Sequence, residues 1–192
     1  MSENVGIPTL YKDIQFRSRL EARYAVYFDL LGWEWAYEPI DLPGWIPDFV
    51  LFSSSQENVF VEVKPISNFV EFEDRGKVVG ALEQSKYSGA PILVLGCRTW
   101  KIDSGRLAFG WLGDRTYQSE GYIFVPVYMI KYKYSWGFKT PLIHRLPGQY
   151  GGYQWKGYRD YTVFGGEAGE ESNDFLSLWA KAGNTVQWKP AK

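Results

Sequence analysis

Two carboxylates in this sequence are set to meet. The runs Asp48 to Phe52 and Asn58 to Lys64 are rich in Val and Phe, as strands are, and the polar Ser53-Ser54-Ser55-Gln56-Glu57 between them is short enough to close a hairpin. With that loop symmetric about Ser55, residues equidistant from it stand opposite one another: Asp48 faces Glu62, Val50 faces Phe60 and Phe52 faces Asn58. Like charges directly opposed on a strand pair repel, and nothing local offsets the conflict. A divalent cation between them removes it, because Mg²⁺ takes hard oxygen ligands, usually one or two carboxylates with water and substrate oxygens completing its shell. Alternation puts Lys64 on the face of Glu62 and turns Val59, Val61 and Val63 to the other face, into the core. Two acids beside an ammonium group make a candidate site for metal-assisted hydrolysis.

The elements that must carry these residues follow from periodicity. Residues 14 to 31 repeat apolar side chains at steps of three and four (Phe16, Leu20, Tyr24, Tyr27, Phe28, Leu31) with Gly32 as a stop, which predicts a helix. Glu21 shares the line of Tyr24, Ala25 and Phe28, so it projects from or beside the apolar stripe and not from the solvated back. A carboxylate there has two readings: a pair with Arg17 one turn earlier, worth only ~0.3 to 0.5 kcal/mol, or a place in the site. Trp33 to Ile40 alternates loosely as a strand and is broken at Leu42, Pro43 and Gly44; Pro65 ends the later strand because it cannot donate to a ladder. Residues 70 to 88 suit a second helix ending near Gly89, and Pro91 to Gly96 is a continuous apolar run of the kind buried on both faces of a sheet. Helix, strands, helix and buried strand together describe an α/β unit. Leu107 to Leu112 and Tyr122 to Tyr134 predict further strands, Gly and aromatics dominate Trp136 to Gly166, and Asn173 to Lys181 suits a short helix.

A helical acid, Pro47-Asp48 on one strand and Glu62-Val63-Lys64 on the next resemble the PD-(D/E)XK nuclease superfamily. The surrounding residues, Phe16-Arg17-Ser18-Arg19-Leu20-Glu21-Ala22-Arg23, Tyr37-Glu38-Pro39, Ile46-Pro47-Asp48-Phe49 and Val61-Glu62-Val63-Lys64-Pro65, are similar to its small phage and bacterial members, and the likeness spans residues 14 to 96. The resemblance implies a restriction-endonuclease-like αβββαβ core, a mixed central sheet flanked by helices, over residues 1–112, with a β-rich, aromatic extension over 113–192. It implies metal-dependent hydrolysis of phosphodiester bonds in DNA by an endonuclease, in phage or bacterial replication, recombination, repair or packaging, with Mg²⁺ as cofactor and Mn²⁺ as its substitute. Carried over residue by residue, Asp48 and Glu62 are metal ligands, Val63 adds its backbone carbonyl, Glu21 binds the metal directly or through water, and Lys64 orients or deprotonates the attacking water. Members of the superfamily often dimerise to cut both strands, so a homodimer is one expectation, although no interface pattern is visible here. Two other classes compete: a nucleic-acid-binding protein that keeps the nuclease fold without turnover, and a phage protein that binds a host protein through an acidic tail.

The 192 residues carry 21 basic and 22 acidic side chains, a net charge of −1, so the molecule as a whole attracts neither nucleic acid nor an anionic membrane, and any such binding requires a local patch. The charges are segregated. Gly121 to Arg159 holds bases and no carboxylate, whereas Asp160 to Ala180 holds Asp160, Glu167, Glu170, Glu171 and Asp174 and no base. Aromatic rings that stack on bases are interleaved with cations that track phosphates, which makes Lys131, Lys133, Lys139, Arg145, Trp155, Lys156 and Arg159 the candidate nucleic-acid contacts. The same rings serve equally to pack a β-sheet. The acidic stretch can fold over this basic surface or form a solvated tail. Lys77 and Lys86 on the second helix are candidates for approach to DNA or for solubility alone. His144 has no companion for a zinc site, and the single Cys97, which excludes an internal disulfide, reads as a small core residue. One cysteine, no charged start and apolar run in Met1 to Leu10, and no apolar stretch near the ~20 residues of a membrane helix predict a cytoplasmic protein.

Overall fold

A computed structural model describes residues 6–52, 58–68, 71–101, 107–115, 122–131, 136–139, 160–162, 170–171 and 174–187. The chain opens with a hairpin, β1 (Thr9–Tyr11) and β2 (Ile14–Phe16), joined at Lys12 and Asp13, whose φ angles of 49° and 63° form a two-residue turn with the twist of its flanking strands. Helix α1 (Arg19–Leu31) consequently begins at Arg19 and not at residue 14, as the apolar period predicts; Phe16 is buried in the same core but belongs to the hairpin. Ser18 caps the helix, its Oγ accepting from the Glu21 N–H at 3.1 Å, and Gly32 ends it in the left-handed conformation, φ 72°. The spacing Ser18-X-X-Glu21 is a capping box, the local signal that marks the true start.

After α1 come β3 (Trp35–Tyr37), β4 (Phe49–Leu51), β5 (Val59–Val63), α2 (Arg75–Glu83) and β6 (Ile92–Lys101), an α-β-β-β-α-β order. Strand β3 is shorter than the alternation of 33–40 predicts because Glu38 turns the chain with φ 44°. Strands β4 and β5 pair antiparallel in the predicted register, Val50 opposite Phe60 and Phe49 opposite Val61, which brings positions 48 and 62 opposite one another at the end of the ladder. Strands β5 and β6 pair parallel, and α2 lies within the crossover that a parallel pair requires. Helix α2 spans only part of the predicted 70 to 88, and β6 runs past Gly96 to Lys101. Cys97 on β6 is half-buried, its Sγ 3.2 Å from the Ile66 carbonyl, so it is not the enclosed core residue the sequence suggests.

The sheet continues through β7 (Leu107–Arg115), β8 (Tyr122–Lys131), β9 (Trp136–Lys139), β10 (Asp160–Thr162) and the two-residue β11 (Glu170–Glu171), before α3 (Phe175–Thr185). Its order is β10-β9-β8-β7-β6-β5-β4-β3, with β11 beside β8, and among the described residues the β5–β6 pairing is the only parallel one. The fold is α/β with a mixed sheet. Position 112 falls within β7, so the same sheet crosses the point that separates the expected core from the expected extension.

Two apolar layers sandwich the sheet. Val59, Val61 and Val63 of β5 and Leu93 and Leu95 of β6 pack with α1 and with Phe175 and Ala182 of α3, whereas Phe60, Ile92 and Val94 point the other way onto Val78, Ala81 and Leu82 of α2. Strand alternation thus assigns every residue of β5 to a layer and leaves Glu62 on the α2 side. Arg23 fastens α3 to α1: its guanidinium donates to the Trp179 carbonyl at 2.9 and 3.2 Å and lies 3.7 Å from the centre of the Trp179 ring. Gly183 leaves room for it, since a Cβ there would come within 2.9 Å of that guanidinium and the arginine would have to shift. Among the described residues no helix is long and apolar enough to cross a membrane.

Candidate active site

Asp48 stands immediately before β4 and is buried; Val63 N–H donates to its Oδ2 at 2.7 Å and Arg17 Nη2 to its Oδ1 at 2.6 Å. Glu62, opposite on β5 and also buried, accepts from the Trp45 indole N–H at 2.7 Å and pairs with Lys64 Nζ at 3.0 Å. Trp45 reaches that position because Gly44, at φ 80°, tightens the loop in which Leu42 and Trp45 exchange backbone hydrogen bonds, and the indole packs on Phe60. Glu21, at the third position of α1, is buried and accepts from Ser18 Oγ (2.7 Å), Tyr37 OH (2.6 Å) and the Arg17 backbone N–H (3.2 Å). Lys64, just past β5, bridges Glu62 and Asp74, 3.0 Å from each.

Glu21, Asp48, Glu62, Val63 and Lys64 line one cleft of about 890 Å³, together with Arg17, Trp45 and Lys77. The predicted residues are therefore brought together, and of the two helix lysines Lys77 reaches this cleft. Among the described residues no three Asp, Glu, His or Cys side chains stand close enough to share one ion, and Glu21 has both oxygens engaged by the capping box and Tyr37. The expectation that a bound divalent cation is needed for the opposed acids to coexist is corrected: Arg17, Trp45, Lys64 and the Val63 N–H already meet them. Of the two readings of Glu21, the side-chain pair with Arg17 is not formed, since the Arg17 guanidinium reaches Asp48 and Glu38 instead. Two buried carboxylates at opposed positions still form the all-oxygen donor set that suits Mg²⁺, which keeps waters and needs one or two acids.

No family model, curated protein or solved structure matches this chain.

The electrostatics assign roles to the individual groups. Burial, then the charge of Glu62, raises the Asp48 pKa to about 7 against the Val63 hydrogen bond and the Arg17 ion pair, which is weakened because Arg17 is largely solvated. Burial opposes the charge on Lys64, but its pairs with Glu62 and Asp74 outweigh this and raise its pKa. Lys64 is therefore held as an ammonium between two carboxylates. A pH dependence follows. The folded chain holds a proton on Asp48 up to about pH 7, whereas the unfolded chain releases it near ~3.9, so this group's stabilising contribution is full below pH ~4 and is lost as pH rises to 7. In metal-free buffer, denaturant melts between pH 4 and pH 8 are expected to show a decline on the order of a few kcal/mol that Asp48→Asn removes. An unchanged slope in that variant would refute the assignment.

Sequence reasoning missed Arg17, Tyr37, Glu38, Trp45 and Asp74 as members of this network. Only the capping box could have been read locally; the rest meet their partners through the fold. Of the expected nucleic-acid contacts, Lys133, Arg145, Trp155, Lys156 and Arg159, with His144, lie outside the described residues. Lys139 and Lys131 are on β9 and β8, at register positions opposite Asp160 and Glu170 respectively, so the acidic segment returns alongside the basic strands.

Proposed function

We propose that this chain is a metal-dependent nuclease of the PD-(D/E)XK kind, hydrolysing phosphodiester bonds in DNA, with Mg²⁺ or Mn²⁺ as cofactor. The observation that carries this reading is the shared cleft: a helical acid, two buried acids at opposed strand positions and a lysine beside one of them, contributed by α1, the segment before β4, and β5 with its end. The α-β-β-β-α-β order of the elements supports it. A bound Mg²⁺ would lower the pKa of a water nucleophile and neutralise charge on the phosphate. Asp48 and Glu62 would hold it, with the Val63 carbonyl as a further ligand, while Trp45 orients Glu62 and Glu21 anchors the start of α1 beneath the cleft. The Lys64 ammonium, steadied by Asp74, stabilises the charge that develops on the phosphate oxygens.

The experiment is a cleavage panel of labelled linear, nicked, flap and four-way DNA with Mg²⁺, Mn²⁺ or EDTA. Metal-dependent cleavage of at least one substrate is expected, and no cleavage of any would remove the reading. One observation favours a second reading, a binding module without turnover: every site carboxylate already has protein donors. That reading predicts salt-sensitive DNA binding that survives EDTA and Asp48→Asn, with no cleavage.

A further inference from the structure

We propose that the Arg17 guanidinium is the resident counter-cation of Asp48 and competes with a divalent metal ion for the Asp48 Oδ1, an inference that rests on the metal-dependent reading above. The two oxygens of Asp48 are held differently. Oδ2 is fixed by a backbone donor, the Val63 N–H, on a residue held in the sheet by its pairing with Leu95 of β6. Among the described residues Oδ1 is held by a side chain alone, Arg17 Nη2 at 2.6 Å, and that side chain is 57% exposed. The oxygen that an incoming cation can take is therefore the one beneath Arg17.

Arg17 can yield it because a second acceptor is already in reach. The same Nη2 lies 2.7 Å from Glu38 Oε1, on a carboxylate more exposed than Asp48. The root of the side chain stays in place, since the Arg17 N–H bonds Glu21 and the Tyr37 hydroxyl and Ser18 caps α1 next door. Once Asp48 is ionised, above about pH 7, a buried carboxylate without a counter-charge is costly, so a cation must attend it when no metal is present. Two cations cannot both approach one oxygen closely, because their mutual repulsion rises steeply at short range in a partly dehydrated cleft. Lys64 repeats the arrangement on the other acid, bridging buried Glu62 and the more exposed Asp74. Asp48 and Glu62 are thus each paired with a cation that has a second carboxylate in reach. In the metal-free protein Arg17 keeps ionised Asp48 oriented; with metal bound it rests on Glu38.

The test is calorimetric titration of Mn²⁺ into chelator-stripped full-length protein, without substrate, for the wild type, Arg17→Met, Glu38→Gln and Asp48→Asn. Removing the competitor is expected to tighten Mn²⁺ binding on the order of tenfold, as when the binding-competent fraction rises from a tenth to one. Glu38→Gln is expected to weaken binding several-fold, because displaced Arg17 loses its second seat, and Asp48→Asn to abolish it. Equal or weaker affinity in folded Arg17→Met overturns the proposal and leaves the metal-dependent reading standing. Should Arg17→Met not fold without metal, unchanged or tighter affinity in Glu38→Gln overturns it. Absence of Mn²⁺ binding by all four proteins overturns both.

Discussion

Asp48→Asn is expected to lower metal-dependent DNA cleavage by about a thousandfold without unfolding the protein, the scale seen when a preorganised charge-stabilising group is removed. The substitution keeps shape and keeps an oxygen to accept the Val63 N–H, but it removes the negative charge that would hold the metal. Stability separates this outcome from simple damage. The carboxylate is buried beside Glu62 and held above its ordinary pKa, so its charged form opposes folding near neutral pH. Asparagine relieves that opposition, and melting near pH 8 should show a Tm equal to or above the wild type. Loss of cleavage together with retained stability marks a residue kept for chemistry at the expense of the fold. Lys64→Met should lose ~10²–10³-fold, since it removes the ammonium that faces the developing charge. Cleavage by Asp48→Asn at the wild-type rate would end the nuclease proposal.

Phe49→Ala is expected to destabilise the chain by ~3 to 5 kcal/mol, the range for truncating a fully buried phenylalanine. Phe49 is the meeting point of the aromatic layer under α1: its ring centre lies 6.1 Å from Phe16, 5.3 Å from Phe28, 5.6 Å from Trp35 and 5.4 Å from Tyr37. These rings come from the first hairpin, α1 and β3, so no single neighbour can collapse into the space. At ~2 to 4 °C per kcal/mol for a chain of this size, Tm should fall by roughly 10 °C. Asp48 is the adjacent residue, so activity near the new Tm should fall in step with unfolding, while at low temperature the cleft keeps its acids. A shift under ~1 kcal/mol would mean that this layer is not the packed core described here.

Much of the fold was legible because local chemistry and tertiary packing agree. The hairpin register could be read from a polar loop flanked by alternating Val and Phe, since a slip of one residue would turn Val59, Val61 and Val63 out of the layer under α1. The continuous apolar run at 92–95 is buried because both of its faces are covered, one by α1 and α3 and the other by α2. The start of α1 was misread because Phe16 continues the apolar period across a hairpin strand; burial constrains which way a side chain points, not which element carries it. The basic C-terminal stretch could be seen as a pattern but not weighed, because the returning acidic strands that stand opposite Lys131 and Lys139 are distant along the chain.

The candidate site divides in the same way. Residue type and strand alternation were enough to set Glu62 opposite Asp48 with Lys64 beside it, since those relations depend only on a short hairpin and a period of two. The partners that neutralise them could not be read in advance: Arg17 precedes α1, Trp45 sits in a loop tightened by Gly44, and Asp74 starts α2, and each reaches its acid only when helix, loop and sheet pack together. Short-range geometry is written into neighbouring residues, whereas the balance of charge in a buried cleft depends on every group that packing brings within a few ångströms.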